Sequence, residues 1–220
     1  MEQPKNNFKI VSDKKARMIL PNAITLIGVC IGLTSIKFAL DGKFALAIVA
    51  ILFAGLMDAL DGRIARLIKG TSKMGKELDS LGDVISFGVA PAFIMYFWNL
   101  QYLDKLGWFV CLMYVVCVAL RLARFNVSSE EETSWKDNFF EGVPAPAGGI
   151  VVLMPLVLSF SGLGEFFFTI NYDLVVPAFF IIVSILLIST IPTYSFKKIV
   201  IPRAMTKFLL FGIVLFFGAL

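Results

Sequence analysis

The sequence predicts an all-α, polytopic integral membrane bundle, on three observations. First, 58% of its 220 residues are hydrophobic, including 22 Phe, and only 16% are charged, with a mean hydropathy of +0.85. An ordinary water-soluble domain does not carry that balance. Second, runs of about 20 apolar residues, the length that spans a hydrocarbon core, can be placed near 20–40, 44–67, 80–99, 106–125, 147–163, 174–194 and 207–220. Third, basic residues alternate with these runs: of the 20 Lys and Arg, all but Lys37, Lys43 and Lys105 fall before the first run or in the 62–79, 121–146 and 195–207 segments, on one side of the predicted membrane.

In chain order, residues 1–19 form a basic N-terminal segment with scattered Phe8, Ile10, Val11 and Met18. It reads either as an interfacial helix or as a solvated tail. Residues 20–220 form the membrane domain. The first span opens on Pro21-Asn22-Ala23-Ile24-Thr25, where Pro suits a helix start and Asn22 and Thr25 offer capping side chains. A cleaved signal peptide is disfavoured, because the apolar run is long and lacks a small-x-small site before Asp41. Cys30, Cys111 and Cys117 all fall inside spans, without a CxxC, and read as packing or lipid-facing residues. The chain has no His, so a Ser-His-Asp triad, a Cys-His nucleophile and histidine-ligated zinc are excluded.

The second and third spans flank the most informative stretch, Met57 to Val84. Asp58 and Asp61 lie three residues apart and Asp79 and Asp83 four apart, so each pair shares one helical face. Four unpaired carboxylates deep in a bilayer would cost on the order of 10 kcal/mol, so something cationic should offset them. Two such faces across a hairpin make a carboxylate cage suited to hard divalent ions, which take oxygen ligands and can hold phosphate oxygens. Gly62, Ala65 and Gly75 are interleaved where a phosphate or nucleotide would approach backbone.

The full spacing is D58-x2-D61-G62-x2-A65-R66-x8-G75-x3-D79-x3-D83. It resembles, at all eight positions, the signature of the CDP-alcohol phosphotransferases. The resemblance implies a six-helix core with one or two further C-terminal helices, and two divalent cations, Mg2+ or Mn2+, held by Asp58, Asp61, Asp79 and Asp83. It further implies that Asp83 serves as general base and that Gly62, Ala65, Arg66 and Gly75 admit the cytidine diphosphate moiety. A PN-x-x-T element like that of Pro21 to Thr25 places Asn22 and Thr25 near the nucleotide in the same family.

The fourth span ends in Ala119-Leu120-Arg121-Leu122-Ala123-Arg124-Phe125-Asn126, with two arginines near the cytoplasmic end. Topological anchoring and anion binding are both open readings there. The following loop carries Glu130, Glu131, Glu132 and Asp137, then Phe140-Glu141-Gly142-Val143-Pro144-Ala145-Pro146-Ala147-Gly148-Gly149, a stiff turn into a closely packed helix. RLARFN, F-x-G-x-P-x-PA and SLGDVISFGVAPA from Ser80 to Ala92 resemble the phosphatidylserine synthase branch of the family.

The branch resemblance implies transfer of the phosphatidyl group of CDP-diacylglycerol to the hydroxyl of L-serine, with release of CMP, in phospholipid biosynthesis. Arg121, Arg124, Asn126 and Pro144 are the expected acceptor-side residues. The same chemistry with glycerol 3-phosphate or an inositol derivative is the alternative, and a cation pathway lined by the acids is a reading of another class. Expected partners are CDP-diacylglycerol, L-serine, membrane lipid and a second copy of the chain, without nucleic acid. The expected location is the cytoplasmic membrane, with the amino terminus and the site facing the cytosol.

Overall fold

The computed structural model describes residues 13–68, 70, 72–128, 139–141, 143–160, 172–189 and 192–194. The expected span at 207–220 and residues 1–12 lie outside them. Helix α1 covers Asp13–Leu40, α2 Phe44–Leu67, α3 Lys73–Trp98 and α4 Asp104–Ser128. A 3-10 turn at Leu100–Leu103 joins α3 to α4. Then follow β1 Phe139–Glu141, α5 Ala145–Val152, α6 Met154–Phe160, α7 Tyr172–Ile188 and β2 Pro192–Tyr194. Four helices are long and apolar enough to cross a membrane, and Leu174–Ile188 is a shorter apolar helix. The chain is a helical membrane protein, as the composition predicts.

Packing begins with the α1–α2 hairpin. Gly42, at φ +73, takes the left-handed position that ends α1, and the Gly42 and Lys43 amides return to the Ala39 and Phe38 carbonyls at 3.0 and 2.8 Å. Lys37 donates to Asp41 at 2.8 Å in the same turn, which holds the exposed Asp41 carboxyl below its usual range. Along the hairpin, Ala47, Ala50, Ala54 and Met57 make the buried stripe of α2. A Cβ at Gly28 of α1 would already sit 3.4 Å from Met57 Cβ. Small residues at this spacing let two helices approach closely where no water drives them together.

The main core lies where α2, α3, α4, α5 and α7 meet, around Ile51, Phe87, Met95, Tyr114, Val118, Phe180 and Leu187, all 1% exposed or less. Outward-facing Leu33, Leu52, Phe109, Val116, Ile182 and Ile185 remain exposed, as side chains that face lipid would. Beyond the helices, β1 pairs antiparallel with β2, Phe140 opposite Thr193, tying the segment after α4 to the segment after α7.

Four expected boundaries are corrected. The first helix starts at Asp13, two turns before Pro21, so Asn22 is interior to α1 rather than a cap, and Thr25 Oγ1 donates to the Pro21 carbonyl at 3.1 Å. The third begins at Lys73 rather than near 80, because Ser72, in extended conformation, accepts from the Gly75 amide at 3.0 Å and caps it. Hydropathy misses that polar first turn and a half. The fifth run, expected as one span over 147–163, divides at Leu153 just before Met154-Pro155, where proline removes a helical donor. The sixth ends at Ile188, not 194, because Pro192–Tyr194 is drawn into the strand pair.

Candidate active site

Three helices converge on the acidic stretch. The C-terminal half of α2 supplies Asp58, Asp61, Gly62 and Ala65, the N-terminal half of α3 supplies Gly75, Asp79 and Asp83, and the second third of α1 supplies Asn22 and Thr25. Carboxylate oxygens of Asp58, Asp61 and Asp79 all lie within 4.8 Å of one another. Asp83 joins these three around a small cavity of about 10 Å3, closed on its inner side by Gly28, Gly82, Ser86 and Phe87. That volume is about one water-sized sphere.

The donor set fits a divalent cation. Asp61 is 3% exposed, and among the described residues its buried Oδ2 has no hydrogen-bond partner. An unpartnered anionic oxygen in such a place is costly unless a cation meets it. Carboxylates are hard, adaptable ligands of the kind Mg2+, Mn2+ and Ca2+ accept. The sequence-expected fourth ligand, Asp83, lies on the same cavity but outside the tight group of three.

A second cavity of about 170 Å3 opens beside the first and shares Asp61 and Asp79 with it. Asn22, Thr25, Gly62, Ala65 and Gly75, all expected from the sequence to meet a nucleotide, line this cavity together. Its glycines differ. A Cβ on Gly62 would meet nothing within 4 Å, so that position opens onto free space. One on Gly75 would lie 3.0 Å from Asn22 Oδ1 and 3.1 Å from Ser72 Oγ, so glycine there also lets α1 and α3 touch.

Not every expected residue reaches the cavity wall. Arg66 is exposed, and its Nε donates to the Gly62 carbonyl at 3.1 Å, one turn back on α2. The two arginines of α4 diverge, since three residues is about 300° of helical turn and leaves them roughly 60° apart. Arg121 turns inward: it is 9% exposed, and its buried Nε has no hydrogen-bond partner among the described residues. Arg124 is exposed and donates from Nη1 to the Ile188 carbonyl at 2.8 Å, at the last residue of α7. Asn126 exchanges hydrogen bonds with Ser80 at 3.0 and 3.3 Å and accepts from Lys76 Nζ on its carbonyl at 3.4 Å, so it ties α4 to α3. Pro144 is half-buried and immediately precedes α5, away from both cavity linings.

Sequence reasoning passed over Ser72 and Lys76, which line the larger cavity, and Ser86, which lines the smaller. Lys76 was legible as a basic residue one turn before Ser80, but its direction was not. Ser86 follows Asp79 and Asp83 at helical spacing, which is the signal that would have found it.

Comparison with known proteins places the chain among named relatives. The model of the CDP-alcohol phosphatidyltransferase family matches residues 18–191. A CDP-diacylglycerol–serine O-phosphatidyltransferase of Mycobacterium tuberculosis is 41% identical over 189 residues, covering 84% of this chain and 64% of that protein. The Helicobacter pylori protein of the same name is 35% identical over 181 residues, covering 82% of this chain and 74% of the relative. An archaetidylserine synthase of Methanothermobacter thermautotrophicus is 35% identical over 192 residues, covering 83% and 73% respectively. The chain thus spans a little under two thirds of the mycobacterial relative's length.

Proposed function

This chain belongs to the CDP-alcohol phosphatidyltransferase family, and from that premise we propose that it transfers the phosphatidyl group of CDP-diacylglycerol to the hydroxyl of L-serine. The observation that carries the reading is the junction of two cavities. A pocket lined by Asn22, Thr25, Gly62, Ala65 and Gly75 opens directly onto four converging aspartates, as a diphosphate joined to a nucleoside requires. The serine-transferring names of the relatives support the acceptor.

In this reading the cytidine end occupies the larger cavity, with the Lys76 ammonium on the wall beside its phosphates. Two divalent cations, Mg2+ or Mn2+, bound by Asp58, Asp61, Asp79 and Asp83 would supply charge neutralisation at the diphosphate and at the departing CMP oxygen. Arg121 holds the serine carboxylate, since it is a buried guanidinium whose Nε has no hydrogen-bond partner among the described residues. The serine oxygen forms a bond to the phosphorus bearing the diacylglycerol. The bond from that phosphorus to the CMP oxygen breaks, and the serine proton passes to Asp83. The lipid tails stay in the bilayer and enter laterally, and serine arrives from the cytosol. The site faces the cytosol, as the one-sided Lys and Arg distribution supports. A homodimer is the assembly we propose.

The test is a panel of acceptors offered to the purified protein with CDP-diacylglycerol and Mg2+ or Mn2+. Serine-dependent CMP release with formation of phosphatidylserine is expected. CMP release with glycerol 3-phosphate or an inositol derivative, but not with serine, would reassign the acceptor. Cation flux in vesicles without CMP release under any condition would sink the enzymatic reading.

A further inference from the structure

Helix α3 does not keep one register. Directly after Asp83 it loosens into a π-turn over Val84–Val89, then resumes as an α-helix from Ala90 to Trp98. Such turns interrupt an α-helix at a cost and are found mostly where a function needs them. The extra residue puts the halves of the helix out of phase by about 100°, one residue's rotation. The half before the turn can therefore aim Asp79 and Asp83 at α2, while the turn itself sets the Phe87 ring beside Gly55 of α2, the Phe87 backbone beside Gly149 of α5 and Gly88 beside Val118 of α4.

The π-turn is held on three sides. On α1, a Cβ at Gly32 would fall 2.7 Å from Ser86 Oγ. On α5, one at Gly149 would fall 2.9 Å from Phe87 Cβ and 3.1 Å from the Phe87 carbonyl oxygen. On α4, Tyr114 is wholly buried and donates its hydroxyl to that same carbonyl at 2.8 Å. Its ring stacks edge-on against Phe180 of α7, with centroids 5.2 Å apart. The Phe87 carbonyl has no α-helical donor of its own, because the residue four positions on is Pro91, which carries no N–H, and in this apolar core the Tyr114 hydroxyl meets it instead. Phe87 also closes the inner wall of the four-aspartate cavity.

We propose that Tyr114 is a positioning residue: its hydroxyl holds the π-turn of α3 and so fixes the register that brings Asp79 and Asp83 to Asp58 and Asp61. Tyr114 touches neither cavity. It acts through the Phe87 carbonyl, and it shapes the cation site before any substrate arrives. The turnover readout rests on the proposed transfer reaction, but cation binding does not.

The test measures Mn2+ binding by electron paramagnetic resonance on the full chain in detergent, without CDP-diacylglycerol or serine, followed by turnover. Tyr114→Phe removes one hydroxyl and keeps the ring. Losing the hydrogen bond should weaken Mn2+ binding by about threefold to tenfold and lower kcat at saturating Mn2+. Gly149→Ala presses the same carbonyl from the opposite side and should shift Mn2+ binding in the same direction. Leu187→Val, a buried change beside Gly148, should lower thermal stability and leave Mn2+ binding at the wild-type value. Wild-type Mn2+ affinity in Tyr114→Phe or in Gly149→Ala would overturn the proposal. So would an equal Mn2+ shift in Leu187→Val, or failure of both turn variants to fold while Leu187→Val folds, because the contact would then be general packing. A wild-type protein that binds Mn2+ but makes no phosphatidylserine would refute the transfer reaction and leave the Tyr114 inference standing.

Discussion

Asp61 and Asp83 carry different demands although they stand on facing helices of one cavity. Asp61 is buried with an oxygen that no donor among the described residues reaches, so its removal should be felt first as lost cation binding. Asp61→Ala and Asp58→Ala should shift the metal titration of activity, with nucleotide affinity falling in parallel. Unchanged titration curves would remove both from the ligand set. Asp83→Asn should retain most CDP-diacylglycerol binding and lower turnover by roughly 100-fold or more, the usual scale for a positioned base. Turnover within about threefold of wild type would take that role from Asp83. The glycines also separate at this scale. Gly62→Leu should fill the larger cavity and abolish CDP binding without disturbing the helices, since its Cβ direction is open. Gly75→Ala should already displace Asn22, whose Oδ1 would be 3.0 Å away. Equal CDP affinity in Gly62→Leu and wild type would leave that residue a mere surface glycine.

At the scale of elements, α4 holds two arginines whose tasks the fold has divided. Arg121→Lys should raise the serine KM severalfold with CDP-diacylglycerol affinity nearly unchanged, because Lys keeps the charge but loses the planar fork. Equal weakening of both substrates would mark a diphosphate contact instead. Arg124→Ala should leave both affinities alone and lower thermal stability, since its Nη1 satisfies the terminal Ile188 carbonyl of α7. A serine KM effect at Arg124 would overturn that division. The start of α3 is a third such place. Ser72→Ala removes a side-chain cap, a loss of about 1 kcal/mol. It should fray the turn that carries Gly75 and Lys76 and weaken CDP binding more than metal binding.

Among the described residues, the four long helices leave apolar side chains exposed and bring Asp58, Asp61, Asp79 and Asp83 together at one end of the bundle. The proposed orientation follows from that end being flanked by Lys and Arg. In a background with the three native cysteines replaced, Met74→Cys, at an exposed position near the site, should react with an impermeant maleimide only after the cytosolic face is opened. Lys43→Cys, in the exposed α1–α2 turn, should react in intact cells. The reverse pattern would invert the topology.

Composition and spacing alone determined the membrane class, the second and fourth spans to within a few residues, and the set of aspartates, glycines and small residues that the fold brings to one place. That was possible because a bilayer reduces the choice of fold to helices of known length, and because a carboxylate inside one is too costly to be incidental. What the linear pattern lacked was direction and register. Hydropathy could not see that α3 begins with a capped polar turn at Ser72, because a helix cap is a hydrogen bond and not an apolar run. Three-residue spacing made Arg121 and Arg124 look like one face, and only neighbouring α3 and α7 sent one inward and the other to a helix end. The π-turn after Asp83 has one local sign, Pro91, which cannot donate to the Phe87 carbonyl. What the linear pattern could not show is that Tyr114, Gly149 and Gly32, distant in the chain, close around that turn from three other helices, because such a contact is decided only when the helices have packed.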